Sequence, residues 1–381
     1  MKKKLLFILP GLATGGTNSS LDSFYPKLKD RYDISVFAIS RQPCNHSYSF
    51  TEALLPEDAL LSLIYSSYTA QRGWRKLMAF PVKIILLLFR FAGKEYGLIR
   101  ARRVVKKLAQ EKRFDIVVGF EEGPATKIAA LFRSPVKIAW IHCDYVKRTP
   151  QGMSEESLYA SFTKIVCVSQ YTASTFSQHY PKMSSRTVAV PNLIDVNRIR
   201  QMGTSTIDDS RFVHNGRTLL SVGRFNTVKR FREIPAIASV LKKHGLRFTW
   251  YVLGPRDFSS ESALFNANIE KYQIGDCVKW LDGKSNPYPY FKASDLYVCL
   301  SESEACPMVF KEAQLFGLPI VSTDFPSACE FLNDGNGIVV SLEKLAEAIE
   351  EMIKRIESGY RLPPVRDDSS FILEKVHELF D

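Results

Sequence analysis

Short buried-strand patterns alternate with helical ones along this chain, which predicts an α/β fold with parallel, doubly wound sheets. The rhythm breaks in a polar stretch from Gly203 to Gly216 and then restarts, so the 381 residues divide into two Rossmann-like units, each with an ample core. A hydrophobic content of 45% with 24% charged residues fits a soluble globular protein.

Leu5–Leu9 (LLFIL) reads as the first strand. It runs into Pro10 and Gly11, then Thr14–Gly15–Gly16–Thr17, then a helical pattern over Asn18–Leu28. A strand, a Gly-rich turn and a helix can cradle a phosphate, but GxGxxG and a GK[ST] ending are both missing. A tight turn that needs Gly for its backbone is the other reading. Asp33–Ala38 is the second strand, and a basic block follows. Asp115–Gly119, Val136–His142, Lys164–Val168 and Thr187–Val190 are the remaining strands of this half, which closes on Pro191–Asn192–Leu193–Ile194–Asp195. Ligands of such sheets bind outside the C-terminal strand ends. Glu121, His142, Ser169 and the Gly15–Gly16 turn all fall there, although a lone His is as readily structural.

The second half opens with a strand over Thr218–Val222 and the turn GRFNTVKR. A helix over Glu233–His244 capped by Gly245, a strand over Phe248–Leu253, and a strand over Val278–Leu281 leading to Asp282–Gly283–Lys284 come next. A short helix over Pro289–Ser294 and a strand over Asp295–Leu300 follow. Glu304 then lies on the loop leaving that strand, and Glu312 lies inside a helix over Phe310–Phe316, closed by Gly317 and Pro319. Pro319–Ser322 is a further strand, and helical patterns over Leu342–Ile356 and Phe371–Phe380 flank the tract Gly359–Ser370.

A helix start exposes backbone N–H groups that favour an anion, and carboxylates beside such a site suit hydroxyls. Arg224 and Lys229, five positions apart on the turn after a strand, offer phosphate oxygens a planar fork and a point charge. Solvent-exposed charge is the plain alternative. Two cations, a helix start and two carboxylates suit a diphosphate attached to sugars.

The apolar run Leu5–Leu9 is too short for a secretion signal and is interrupted by Pro10 and Gly11. The seven cysteines are scattered, without CxxC spacing, as expected of reduced thiols in the cytosol. No stretch reaches the ~20 apolar residues that span a bilayer. The net charge of +11 is concentrated: Arg72 to Arg113 holds 13 Lys and Arg against Glu95 and Glu111, and 13 − 2 is the whole excess. Within this block lies LMAFPVKIILLLFRF, Leu77–Phe91. Basic residues interleaved with large apolar ones point to a helix lying in an anionic membrane surface. Ordinary helices with solvated basic faces are the alternative. No nucleic-acid-binding motif accompanies the charge, so no nucleic-acid partner is expected.

SVGRFNTVKR resembles the phosphate-binding segment of retaining family 4 glycosyltransferases of the GT-B fold, and Ser301–Glu312 resembles their Glu-x7-Glu signature. The run DGKSNPYPYFKASDLYVCLSESE is similar to the segment joining their nucleotide-base loop to that signature. Pro191–Asn192 with Asp195 resembles a hinge-side element, and Gly15–Gly16 and His142 also have counterparts. The matches cover nearly the whole chain, in order, and the likeness is to bacterial capsule, lipopolysaccharide and exopolysaccharide enzymes. The chain departs from the commonest pattern after Glu304, where Ala305–Cys306–Pro307 stands in place of Gly-Phe-Gly; Pro307 has no N–H to offer a ligand.

The resemblance implies two Rossmann-like domains facing across a cleft. Residues 1–195 would bind the acceptor and carry the membrane-facing block 72–113; residues 196–365 would bind the nucleotide sugar; residues 366–381 would return to the first domain. It implies that Arg224 and Lys229 hold the diphosphate and take up leaving-group charge. Glu312 would bind the ribose and Glu304 the donor sugar, with the Met308 and Val309 amides at the phosphate or sugar. Lys284 would lie near the base, His142 beside the reacting sugar, and Gly15 and Gly16 where acceptor or diphosphate meets the backbone. The expected enzyme retains anomeric configuration and needs no cofactor. It transfers a hexose or N-acetylhexosamine from a UDP-sugar to a glycan or polyprenyl-linked oligosaccharide at the cytoplasmic face of a membrane. No Asp-x-Asp occurs in the chain, so no metal is expected. A GT-B sugar-nucleotide epimerase and a non-catalytic partner subunit are the alternatives.

Overall fold

The computed structural model describes residues 2–12, 15–41, 47–65, 74–91, 96–145, 155–255, 260–333, 335–362, 365 and 367–381. Thr14 of the Gly-rich turn, and Arg72, Gly73 and residues 92–95 of the basic block, lie outside the described residues. Met1–Ile194 and Asp368–Asp381 form one compact unit, and Asp195–Asp367 forms the other.

The first unit contains a six-stranded parallel sheet: β1 (Lys3–Gly11), β2 (Tyr32–Ser40), β3 (Ile116–Gly119), β4 (Val136–Ile141), β5 (Lys164–Cys167) and β6 (Thr187–Ala189). The spatial order is β2-β1-β3-β4-β5-β6, with Leu5 of β1 opposite Ile34 and Ile116. Because both faces are covered by helices, the strands are continuous apolar runs and Leu5 to Leu9 are all buried. Trp140 fills the core between Phe24 and Phe120, at ring separations of 5.6 and 4.8 Å. A fully buried side chain of this size contributes on the order of 2–3 kcal/mol. Ser169 is spent on structure rather than held open for a ligand. It is buried, and it caps the helix Gln170–His179 in a reciprocal capping box with Thr172. Asp195 likewise caps the helix Val196–Met202 by accepting the Arg198 N–H at 3.1 Å.

The second unit repeats the plan with β7 (Arg217–Val222), β8 (Phe248–Leu253), β9 (Val278–Trp280), β10 (Leu296–Cys299), β11 (Ile320–Thr323) and β12 (Gly337–Val340). Their order is β12-β11-β10-β7-β8-β9, all parallel. Strand β12 and the helix Ser260–Tyr272 were not anticipated. The stretch Gly203–Gly216 is more than a surface connection. Phe212 packs on Tyr251 and Tyr290 at 4.4 and 5.2 Å, and the Tyr251 hydroxyl donates to the Val213 carbonyl at 2.6 Å.

The terminal helix Ser369–Phe380 belongs to the first unit, as the expected architecture requires. Phe380 is fully buried, with its ring 6.3 Å from Phe7 and 5.4 Å from Tyr32. Lys3 Nζ donates to the Phe380 carbonyl at 3.1 Å, and Arg31 pairs with Asp381 at 2.7 Å.

Candidate active site

In a doubly wound sheet the strand order reverses between neighbours whose connections run in opposite directions, and a crevice opens at their C-terminal ends. In the second unit that reversal falls between β7 and β10. The loop leaving β7 carries Arg224 and Lys229, and the loop leaving β10 carries Glu304, so adjacent strands bring them together.

The β7 loop is held in shape by its own residues. Asn226 accepts the Lys229 N–H at 2.9 Å, and Arg230 takes a left-handed backbone with φ of 51°. Three links clamp this loop to the β10 loop. The Glu302 N–H donates to the Val228 carbonyl at 2.8 Å, Arg230 pairs with Glu302 at 3.2 Å, and the Lys229 ammonium contacts the Glu304 carboxylate. Glu304 is fixed further by the Ser301 hydroxyl on its side chain at 2.7 Å and the Ser327 hydroxyl on its carbonyl at 2.6 Å. Both serines are buried. Burial opposes the charge on Lys229, but Glu304 outweighs it and the ammonium's pKa is raised. Arg224 stands beside Lys229 and is exposed; among the described residues it makes no hydrogen bond or ion pair.

The helix after this loop spans Met308–Leu315, opening two residues earlier than the sequence pattern indicated. Pro307 stands at its cap with φ of −73°, the angle its ring imposes, and has no N–H to lose. The N–H groups of Met308 and Val309 therefore open the helix, where no intrahelical acceptor exists. One turn on, Glu312 accepts from the Tyr288 hydroxyl at 3.2 Å. Burial pushes its carboxyl up to about 7, with the Tyr288 hydrogen bond and the Lys229 charge opposing. Lys284 is not drawn into this cluster: its ammonium is bound to Asp209 at 2.7 Å, which Arg211 also holds at 2.8 Å, and lies over the Tyr290 ring.

The first unit carries the other expected residues. His142 follows β4, its backbone N–H donating to the buried Glu122 carboxylate at 2.9 Å and its ring 4.8 Å from Phe120. Burial pushes the imidazole down to about 4, with Glu122 opposing, so the ring is neutral at pH 7. Among the described residues neither ring nitrogen has a hydrogen-bond partner, nor does the Asn192 side-chain oxygen. Unpaired buried polar atoms cost about 1–3 kcal/mol each. Gly15 has φ of 174°, extended backbone open to any residue, and a Cβ built there meets nothing within 4 Å. The fold itself therefore does not demand glycine at this position. Gly16 opens the helix Gly16–Leu28.

The sequence pattern missed Ser301, Ser327, Tyr288, Glu302 and Glu122. Ser301 lies beside Glu304 in a strand-end loop and could have been flagged by proximity. Glu302 and Glu122 adjoin flagged positions in the same way, whereas Ser327 and Tyr288 act through tertiary contact and carry no local signal.

Two such doubly wound units, with cations, carboxylates and a helix start gathered at the switch point of the second, form the class of fold that binds a phosphorylated ligand there. Family comparison narrows the class. The description Glycosyltransferase Family 4 matches residues 15–198, and Glycosyl transferases group 1 matches residues 204–365. The chain belongs to these glycosyltransferases and has their GT-B fold. It is 24% identical to EpsF of Bacillus subtilis, a candidate glycosyltransferase, over 99% of this chain and 92% of that one. It is 23% identical to the amylovoran biosynthesis glycosyltransferase AmsD of Erwinia amylovora, over 58% of this chain and 60% of AmsD. Among solved structures, HepE of Anabaena in complex with UDP superposes with a TM-score of 0.62 at 17% identity, covering 93% of this chain and 90% of HepE.

Proposed function

We propose that the protein transfers a hexose or N-acetylhexosamine from a UDP-sugar to a glycan acceptor, with retention of anomeric configuration, in the synthesis of a cell-surface polysaccharide. The observation that carries this reading is the Lys229–Glu304 contact beside Arg224, Glu312 and the opening of the helix Met308–Leu315. It assembles phosphate-binding and hydroxyl-binding groups at one strand end. AmsD acts in amylovoran biosynthesis, and HepE has been solved with UDP and with UDP-glucose, which supports the polymer and the donor.

In the proposed reaction the acceptor oxygen bonds to the anomeric carbon and the bond from that carbon to the diphosphate breaks. The acceptor proton passes to the departing phosphate oxygen. Arg224, Lys229 and the Met308 and Val309 amides stabilise the developing negative charge, which takes the place of a metal ion. Glu304 orients the sugar and Glu312 the ribose, while the neutral His142 ring offers a donor or acceptor to the reacting sugar. Lys284, held by Asp209, borders the base. Gly15 and Gly16 leave room for a ligand against the backbone. The acceptor is lipid-linked, and the enzyme works peripherally on the cytoplasmic face of the membrane, where the basic block 72–113 meets anionic lipid.

The test is nucleotide release from a panel of UDP-sugars with membrane lipid extract as acceptor, with and without EDTA. Lys229→Ala should lower turnover on the order of 10²–10³-fold, as loss of a charge-stabilising donor does. Unchanged turnover in Lys229→Ala and Glu312→Ala would overturn the proposal, and loss of activity in EDTA would overturn its metal-independent form.

A further inference from the structure

The helix Trp74–Phe91 is amphipathic in the reverse of the usual sense. Its inward face is Ala79, Val82, Lys83 and Leu86, spaced three and four apart, and packs against the helix Ala59–Tyr65. Lys83 on that face is half-buried and donates to the Ile64 carbonyl at 2.9 Å. The outward face is the more apolar one. Leu77, Phe80 and Leu88 are 78%, 60% and 63% exposed, with Ile84 along the same stripe and Met78, Ile85 and Leu87 beside it. A helix that turns a lysine inward and exposes its leucines is not built for water alone.

The charges of the same basic block select what covers the face. The helix has no acidic residue. The next described helix in the chain, Tyr96–Glu111, has the ordinary pattern, burying Ala101, Val104, Val105 and Leu108. Its exposed Arg102, Arg103 and Lys106 make no ion pair among the described residues. A second copy of this chain would bring the same cations against themselves. An anionic lipid leaflet supplies both an apolar interior and negative headgroups. The helix has 18 residues, about 27 Å in length, and no described helix is long and apolar enough to cross a membrane.

We infer that the Trp74–Phe91 helix inserts its outward face into an anionic leaflet, axis in the membrane plane, with Leu77, Phe80, Ile84 and Leu88 among the acyl chains and Arg102, Arg103 and Lys106 at the headgroups. This rests on the membrane reading proposed above and adds its mode: insertion of apolar side chains rather than charge contact alone. Each buried methylene adds to membrane affinity, so the stripe dominates once it is in place.

The experiment is flotation of the full chain with vesicles of phosphatidylglycerol and phosphatidylethanolamine, followed by a high-salt wash that screens surface charge. One variant is Leu77→Ser/Phe80→Ser/Leu88→Ser, whose sites are exposed and whose thermal transition should match wild type. The other is Arg102→Glu/Arg103→Glu/Lys106→Glu. Wild type should stay bound through the wash. The serine variant should lose at least on the order of a hundredfold in partitioning. The glutamate variant should be captured more weakly from low salt. Equal binding of the serine variant, or full release of wild type by salt, overturns insertion while leaving surface contact standing. Failure of wild type to float overturns both. Concentration-dependent dimers that the serine variant abolishes, with no vesicle binding, would assign the face to a second copy and overturn the inference.

Discussion

Replacing Glu312 with Gln tests the donor site through its acid–base behaviour. Burial moves this carboxyl from its ordinary 4.5 to about 7, against the Tyr288 hydrogen bond and the Lys229 charge. That shift corresponds to about 3 kcal/mol between the protonation states. Below the lower value the carboxyl is protonated whether the chain is folded or not, and the fold suffers no penalty. Between the two values the folded protein holds a proton that the unfolded chain has released, so stability falls as pH rises; above about 7 the whole penalty is present. Gln keeps the oxygen that Tyr288 bonds and cannot ionise. Glu312→Gln should therefore match wild type at about pH 4 and exceed it by up to about 3 kcal/mol at about pH 8, read from urea unfolding of the transition that reports the second unit. The same variant should bind donor more weakly, because ribose hydroxyls donate better to a carboxylate than to an amide. Wild-type affinity for a UDP-sugar should rise with pH up to about 7, and the variant's should stay flat. The nucleotide sugar is the probe to use, since the terminal phosphate of free UDP titrates at about 6 and would obscure the effect. A wild-type minus variant stability difference that is the same at both pH values would refute the reasoning.

Gly15→Ala should leave the thermal transition unchanged, because its Cβ meets nothing and its backbone is extended, yet it should lower kcat/KM if a ligand approaches there. A drop in stability instead would return Gly15 to a purely structural role. Phe380→Ala should cost the first unit about 3–5 kcal/mol, because the ring is fully buried between Phe7 and Tyr32, and the loss should appear in its unfolding midpoint.

Lys229 and Glu304 hold one another within the site. An unpartnered charge at a half-buried position is costly, and one of each sign in contact removes most of that cost. On the proposed reading a nucleotide sugar replaces both partners at once, with phosphate for Lys229 and hydroxyls for Glu304. A ligand offering phosphate alone leaves Glu304 competing for the ammonium. The buried Ser301 holds the Glu304 carboxylate, and the buried Ser327 its backbone carbonyl, in place through either exchange.

The sheets were legible because buried parallel strands are written as unbroken apolar runs, and strand ends then locate the candidate residues without any contact information. Arg224, Lys229, Glu304 and Glu312 were legible for that reason. Ser169 and Asp195 occupy the same kind of position but are helix caps, and only the hydrogen bonds to Thr172 and Arg198 reveal it. Lys284 could be placed on its loop, but its attachment to Asp209 joins residues 75 apart and leaves no local trace. The helix Trp74–Phe91 shows most clearly what periodicity leaves open. Its sequence is apolar nearly all round, so periodicity cannot say which side is covered; that depends on where the helix Ala59–Tyr65 docks. Docking on Ala79, Val82, Lys83 and Leu86 turns a side chain that water would welcome inward and sends Leu77, Phe80 and Leu88 outward. A basic, apolar segment read from composition thus becomes a surface of defined orientation, and it is the orientation that makes insertion testable side chain by side chain.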